Sequence, residues 1–98
     1  MKKVEDLESG NTVEIDSISN GKGFFLAMMR FRHHARIKNE DLIEVYPGAS
    51  LVFIKRNDPT VSDDFIFHIK GFSKSLSSGA EIWISEMDLK SCELRDIQ

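Results

Sequence analysis

The sequence predicts an all-β fold, a small barrel of five to seven short antiparallel strands, with a β-rich α+β fold as the alternative. Short segments of alternating or continuous apolar residues recur along the 98-residue chain. Turn-forming Gly, Pro, Asn and Asp residues separate these segments, which is typical of strands joined by short loops. At this length the chain is expected to form a single domain over residues 1–98.

Five short segments are predicted as strands: residues 12–18, 42–46, 50–56, 65–70 and 80–85. In most of them apolar residues alternate with polar ones. The tail is expected to form a helical turn over 87–90 and a last strand over 92–97. Segment 50–56 is almost continuously apolar, which predicts a central strand covered on both faces. The Asn20-Gly21 pair that follows the first strand predicts a hairpin, because both residues tolerate positive φ.

The two ends of the chain resemble small SH3-like barrels. LESGNTVEI, residues 7–15, is similar to their opening strand with its preceding glycine turn. EIWISEMDLKSCEL, residues 81–94, is similar to their strand, short helical turn and closing strand. The resemblance implies a barrel-like fold and carries no function by itself. An OB-like barrel fits the same series of strands.

The segment 24–38, FFLAMMRFRHHARIK, carries the strongest pattern in the chain. From Met29 onward, mostly apolar positions alternate with a basic row that consists of Arg30, Arg32, His34, Arg36 and Lys38. A strand projects successive side chains to opposite faces, so the pattern predicts one mostly apolar face and one basic face. No Asp or Glu occurs from residue 17 to residue 39, so the basic face is expected to be clear of carboxylates.

A helix is the alternative structure for the same segment. Its apolar side would be formed by Phe24, Ala27, Met28, Phe31 and Ala35, which follow helical spacing. The strand is favoured because the helix would leave other apolar residues off that side. The nearest residue that could cap the helix, Asn20, is also separated from Phe24 by two glycines.

The basic row predicts a surface for an anionic partner. Residues two apart on one face of a strand lie about 6.6 Å apart, close to the phosphate spacing of an extended nucleic-acid strand. Arginine also binds phosphate through two parallel hydrogen bonds. The leading hypothesis is a non-enzymatic module that engages a polyanion, with nucleic acid as the favoured partner. The candidate binding residues are Arg30, Arg32, His34, Arg36, Lys38, Lys55, Arg56 and Trp83.

Two other interpretations of the basic row stay open. The same residues, with Trp83 as an apolar anchor, could bind an acidic protein surface, as in a regulator, adaptor or inhibitor such as a phage-type protein. The acidic remainder of the chain could supply that surface, which would give a homo-oligomer. Alternatively, the charges serve only to solvate an edge strand and keep it from aggregating.

Composition and motifs argue against several other classes of protein. The 13 Lys+Arg and 16 Asp+Glu residues give a net charge of −3, so nucleic-acid binding must rest on local clustering of cations. One cysteine, Cys92, excludes an internal disulfide and a multi-cysteine zinc site. Phosphate-loop and metalloprotease motifs are absent, so we expect no enzyme, no cofactor and no metal.

The N-terminal MKK is not followed by an apolar run, and no stretch approaches the ~18 apolar residues that span a membrane. The sequence therefore predicts a cytoplasmic protein without a membrane partner.

Overall fold

The computed structural model describes residues 1–30, 40–71 and 80–97, and in these ranges the protein is all-β. The strands are β1 (Thr12–Ile18), β2 (Phe25–Arg30), β3 (Glu40–Val45), β4 (Ser50–Arg56), β5 (Asp64–Gly71), β6 (Glu81–Ser85) and β7 (Cys92–Asp96). A short helix, α1 (Glu86–Lys90), joins β6 to β7, and a 3-10 turn covers Val4–Asp6. The predicted fold class is confirmed, and each predicted strand in these ranges is present within one or two residues of its expected bounds.

All seven strands belong to one antiparallel sheet that curls into a half-barrel, in the order β3-β2-β6-β5-β4-β1-β7. Three short connections, residues 19–24, 46–49 and 86–91, each join strands that lie four positions apart in that order. On a flat sheet four positions correspond to about 19 Å. A five-residue helix such as α1 rises only about 1.5 Å per residue and could not cover that distance. The sheet must therefore curl until strands four positions apart approach each other.

The prediction of a hairpin at Asn20-Gly21 is wrong. β1 pairs with β4 and β7, whereas β2 pairs with β3 and β6, so the two strands joined by this loop are not neighbours. The Asn20 side chain instead organises the loop itself. Its Oδ1 accepts hydrogen bonds from the backbone N–H groups of Lys22 (3.0 Å) and Gly23 (2.7 Å), and Gly23 has a positive φ of 72°.

The core lies on the inner side of the curled sheet and follows the strand alternation. Its most deeply buried side chains are Val13, Ile15, Val45, Leu51, Phe67, Ile82, Ile84, Leu89 and Leu94. Leu89 enters this core from α1, and Val45 enters it at the end of the edge strand β3. Both ends of the sheet order thus contribute to one apolar interior, which stabilises the curl by burying apolar surface.

Part of the segment predicted as a long basic strand is described. Phe25–Arg30 is a strand, and Phe25, Ala27 and Met29 are buried while Leu26 is exposed. The phase expected from the alternation is therefore confirmed up to Arg30, which lies on the side opposite Met29. Four further residues of the predicted basic row lie outside the described residues: Arg32, His34, Arg36 and Lys38.

β4 occupies the central position expected for its apolar run, between β5 and β1. Leu51 and Phe53 are buried on its inner side, but Val52 and Ile54 on the outer side are only partly buried. The outer face of the strand is thus covered less completely than the sequence predicts.

Gly48 allows the tight turn that leads from β3 to β4, because it has φ of 100°. We expect Gly48→Ala to lower the free energy of unfolding by about 1–2 kcal/mol, the cost of a left-handed conformation for a residue with a Cβ. Gly21→Ala is the matched control, since Gly21 lies in another loop, lacks a positive φ and has open space around its Cα. Urea unfolding of both variants measures the difference, and equal stabilities would contradict the role given to this turn.

Candidate binding face

An apolar row crosses the outer side of the sheet, which faces away from the core. In the strand register Met28 pairs with Leu42 on one side and with Trp83 on the other, and Trp83 pairs with Ile66. Paired residues project to the same side of a sheet, so these four side chains form one row across β3, β2, β6 and β5, about 14 Å long. Leu42 is 65% exposed, and neighbouring Leu26 on β2 is 49% exposed. Ile66, by contrast, is only 3% exposed, so the name apolar face is given to Leu42, Met28, Trp83 and Leu26.

A charged row runs beside the apolar face, one step along the strands. Arg30 pairs in register with Glu81, and Glu81 pairs with His68. The Arg30 guanidinium carbon lies 3.5 Å from the centroid of the Trp83 ring, which is close enough for a strong cation–π contact. The Trp83 indole N–H donates a hydrogen bond of 2.9 Å to Glu81. Arg30, Trp83 and Glu81 therefore form one connected group on the outer side of the sheet.

His68 stands at the far end of the charged row. Its Nε2 is 3.9 Å from Glu81 Oε1, which is within the range of an ion pair but too long for a hydrogen bond. The same atom is buried and has no hydrogen-bond partner among the described residues.

The structure brings together some of the predicted site residues and separates others. Arg30 and Trp83 are in contact. Lys55 continues the line of the apolar row onto β4, because it pairs in register with Ile66. Arg56 pairs with the core residue Phe65 instead, and its Nη2 lies 3.3 Å from Glu86 Oε2 at another part of the surface. Arg30, Trp83 and Lys55 thus share the outer face, whereas Arg56 does not.

The expectation that the basic face is clear of carboxylates is wrong at Arg30. Glu81 from β6 is its partner in the strand register. Glu81 is far from Arg30 in the sequence, and the pairing of β2 with β6 gives no local signal that could have been detected. Sequence reasoning also missed the two exposed leucines, Leu26 and Leu42, as members of one surface.

The charges of the chain are divided unevenly. All 16 Asp+Glu residues lie in the described ranges, together with nine Lys+Arg, a net charge of −7 there. The remaining four cations, Arg32, Arg36, Lys38 and Lys74, lie outside those ranges. The net charge of the whole chain, with these four cations included, is −3.

In residues 1–30, 40–71 and 80–97, no group of three or more His, Cys, Asp or Glu side chains could hold a metal ion. Burial raises the pKa of the Cys92 thiol to about 11, which keeps it protonated and weakly nucleophilic. His68 and Cys92 lie on β5 and β7, which are not adjacent in the sheet.

Comparison of the chain with protein-family models, with curated proteins and with solved structures finds no match. Within the part of the chain that the structure describes, no helix has the length and apolar character needed to cross a membrane.

The stack of Arg30 on Trp83 should contribute to stability. We expect Arg30→Ala to lower the free energy of unfolding by about 1 kcal/mol, because it removes the cation from the ring. Lys55→Ala is the matched control, an exposed cation on the same face, with an expected change below about 0.5 kcal/mol. Urea unfolding followed by the fluorescence of Trp83, the only tryptophan, measures both variants. Similar small changes in both would contradict a stabilising stack.

The Cys92 thiol should react slowly in the folded protein. At about pH 8 we expect iodoacetamide to alkylate it roughly a hundredfold more slowly than in the urea-unfolded chain, because its raised pKa leaves far less thiolate. Mass spectrometry of timed samples gives both rates. Rapid alkylation of the folded protein would show that the thiol is ionised, contrary to its burial.

Proposed function

We propose that this protein is a non-enzymatic binding module that docks a protein partner on its apolar face. The observation that carries the proposal is the 65% exposure of Leu42 beside Leu26, Met28 and Trp83 on one side of the sheet. Adjacent exposed apolar side chains are a feature of interaction surfaces, because the free energy falls when a partner covers them and removes them from water. Trp, Met and Arg, which all occur here, are enriched in protein interfaces.

The partner we propose has an apolar centre and an acidic rim. Arg30 and Lys55 border the apolar row, and the sequence after Arg30 adds three cations and no carboxylate before Glu40. A second copy docked through the same face would bring Glu44 and Glu81 of both copies together, which disfavours a symmetric dimer. The partner is therefore a different, acidic protein, which fits a regulator or inhibitor acting in the cytoplasm.

Nucleic acid is the second candidate partner. It is favoured by the guanidinium of Arg30 over the ring of Trp83, since cations beside aromatic rings form the surfaces on which single strands stack. The absence of Asp and Glu from residue 17 to residue 39 supports the same candidate. Against it, the strand register places Glu81 beside Arg30, where its carboxylate would repel phosphates.

The apolar face can be tested with one pair of surface variants. We expect a protein captured by the tagged wild type from a nuclease-treated lysate to be lost with Leu42→Glu, because a charge within the contact must be desolvated. Val61→Glu is the matched control, since Val61 is 73% exposed but lies in the loop between β4 and β5, and it should retain the partner. Thermal unfolding checks that both variants fold.

The remaining outcomes separate the alternatives. Capture that is equal for wild type and Leu42→Glu overturns the proposal, and so does capture that disappears after nuclease treatment. A dimer of the purified protein that dissociates with Leu42→Glu in sedimentation analysis would identify a second copy as the occupant. For nucleic acid, anisotropy titrations should give a slope of log K against log salt of about −3 if four phosphates of a single strand are neutralised.

A further inference from the structure

A groove separate from the apolar row opens at one end of the sheet. It has a volume of about 510 Å³ and lies between the loop that follows β1 and the helix α1, above the start of β2. Its lining consists of Asn20, Gly21, Lys22, Phe24, Phe25, Leu26 and Asp88. The volume is within the range of small-molecule sites, about 300–1,000 Å³.

The loop wall of this groove is held in place by its own hydrogen bonds. The Asn20 side chain accepts from the backbone at Lys22 and Gly23 and donates to the carbonyl of Phe24. The backbone N–H and the hydroxyl of Ser19 both donate to the carbonyl of Ser91, at 2.8 and 2.9 Å, which attaches the loop to the end of α1. The loop wall is therefore formed before any ligand enters.

The helix wall is held in a similar way. The backbone N–H of Asp88 donates a hydrogen bond of 3.2 Å to the Ser85 hydroxyl. That hydroxyl in turn donates a hydrogen bond of 3.0 Å to Asp88 Oδ2. The Ser91 hydroxyl donates a hydrogen bond of 2.6 Å to the backbone carbonyl of Asp88. These bonds orient the Asp88 carboxylate and engage one of its oxygens. A groove with two preformed walls binds without the entropic cost of ordering a loop.

The groove combines two opposite charges with an aromatic surface. Lys22 lies on the loop wall with its Nζ 5.9 Å from the centroid of the Phe24 ring, and Asp88 supplies a carboxylate on the helix wall. The Phe24 ring is supported by Tyr46, at 5.3 Å between centroids. Phe25 and Leu26 add apolar surface below. A ligand that satisfies all of these groups must carry both charges and a flat apolar body.

We propose that this groove binds a small zwitterion with a flat apolar body, the chemistry of an aromatic amino acid. The ligand carboxylate pairs with the Lys22 ammonium, the ligand ammonium pairs with Asp88, and the ring packs on Phe24 and Leu26. The two charges favour zwitterions because each makes a charge-assisted contact that a ligand lacking the matching charge cannot make. This ligand site does not rest on the partner proposed for the apolar face, although both surfaces include Leu26.

The test is a titration of the ¹⁵N-labelled protein with L-tryptophan, followed by amide chemical shifts. We expect saturable shifts of the amides of residues 20–26 and 86–91 at millimolar concentration. Tryptamine, which lacks the carboxylate, and indole-3-propionate, which lacks the ammonium, should each bind about tenfold or more weakly, because one charge-assisted contact is lost. Either analogue binding as tightly as L-tryptophan overturns the proposal, as does the absence of saturable shifts in these two segments.

Variants of the two charged groups complete the test. Lys22→Gln should weaken L-tryptophan binding about tenfold or more and abolish the advantage over tryptamine, and Asp88→Asn should do the same relative to indole-3-propionate. Asp88→Asn keeps an oxygen for the Ser85 hydroxyl, so the helix wall is preserved. Lys3→Gln and Asp6→Asn are the matched controls, exposed charges away from the groove. Equal affinities for the test and control variants would show that the groove does not recognise the ligand charges.

Discussion

The curl of the sheet is the constraint on which the rest of this structure depends. Three connections of four to six residues each join strands four positions apart, and a flat sheet would require each to cover about 19 Å. The curl brings those strands within reach and encloses the apolar interior in the same step. It also places the loop after β1 beside α1, where Ser19 donates to the Ser91 carbonyl. The groove between them is thus a consequence of how the sheet closes.

Alternation in the sequence is sufficient to predict the strands but insufficient to predict how they pair. Thr12–Ile18 and Ser50–Arg56 have the bounds expected from their patterns, because each segment has a clear inner row of apolar residues. Asn20 has the local chemistry of a hairpin, yet its side chain stabilises a loop that leads to a distant strand. Local turn propensity does not specify which strand comes next in the sheet, since that depends on the burial of the whole interior.

The same limit applies to the candidate binding face. The position of Arg30 on the outer side follows from the alternation with buried Met29, and this much could be predicted. The proximity of Trp83 and Glu81 could not, because β6 reaches β2 only through the folded topology. The contact with Trp83 changes which ligands Arg30 is suited to bind. It is a cation stacked on an aromatic ring with a carboxylate opposite it in register, and this environment lowers its value for binding a phosphate.

The outer face has two parts with different physical roles, the apolar row and the cations. The apolar row offers surface whose burial slows dissociation of a partner, and its contribution should depend weakly on salt. Cations contribute chiefly to the association rate and to its salt dependence. Because the whole chain carries a net charge of −3, the protein repels polyanions weakly at long range. For the acidic partner that we propose, attraction would therefore be local, and its residence time would come from Leu26, Leu42 and Trp83. A partner with charge alone would gain little from this face, which is why we propose one with an apolar centre.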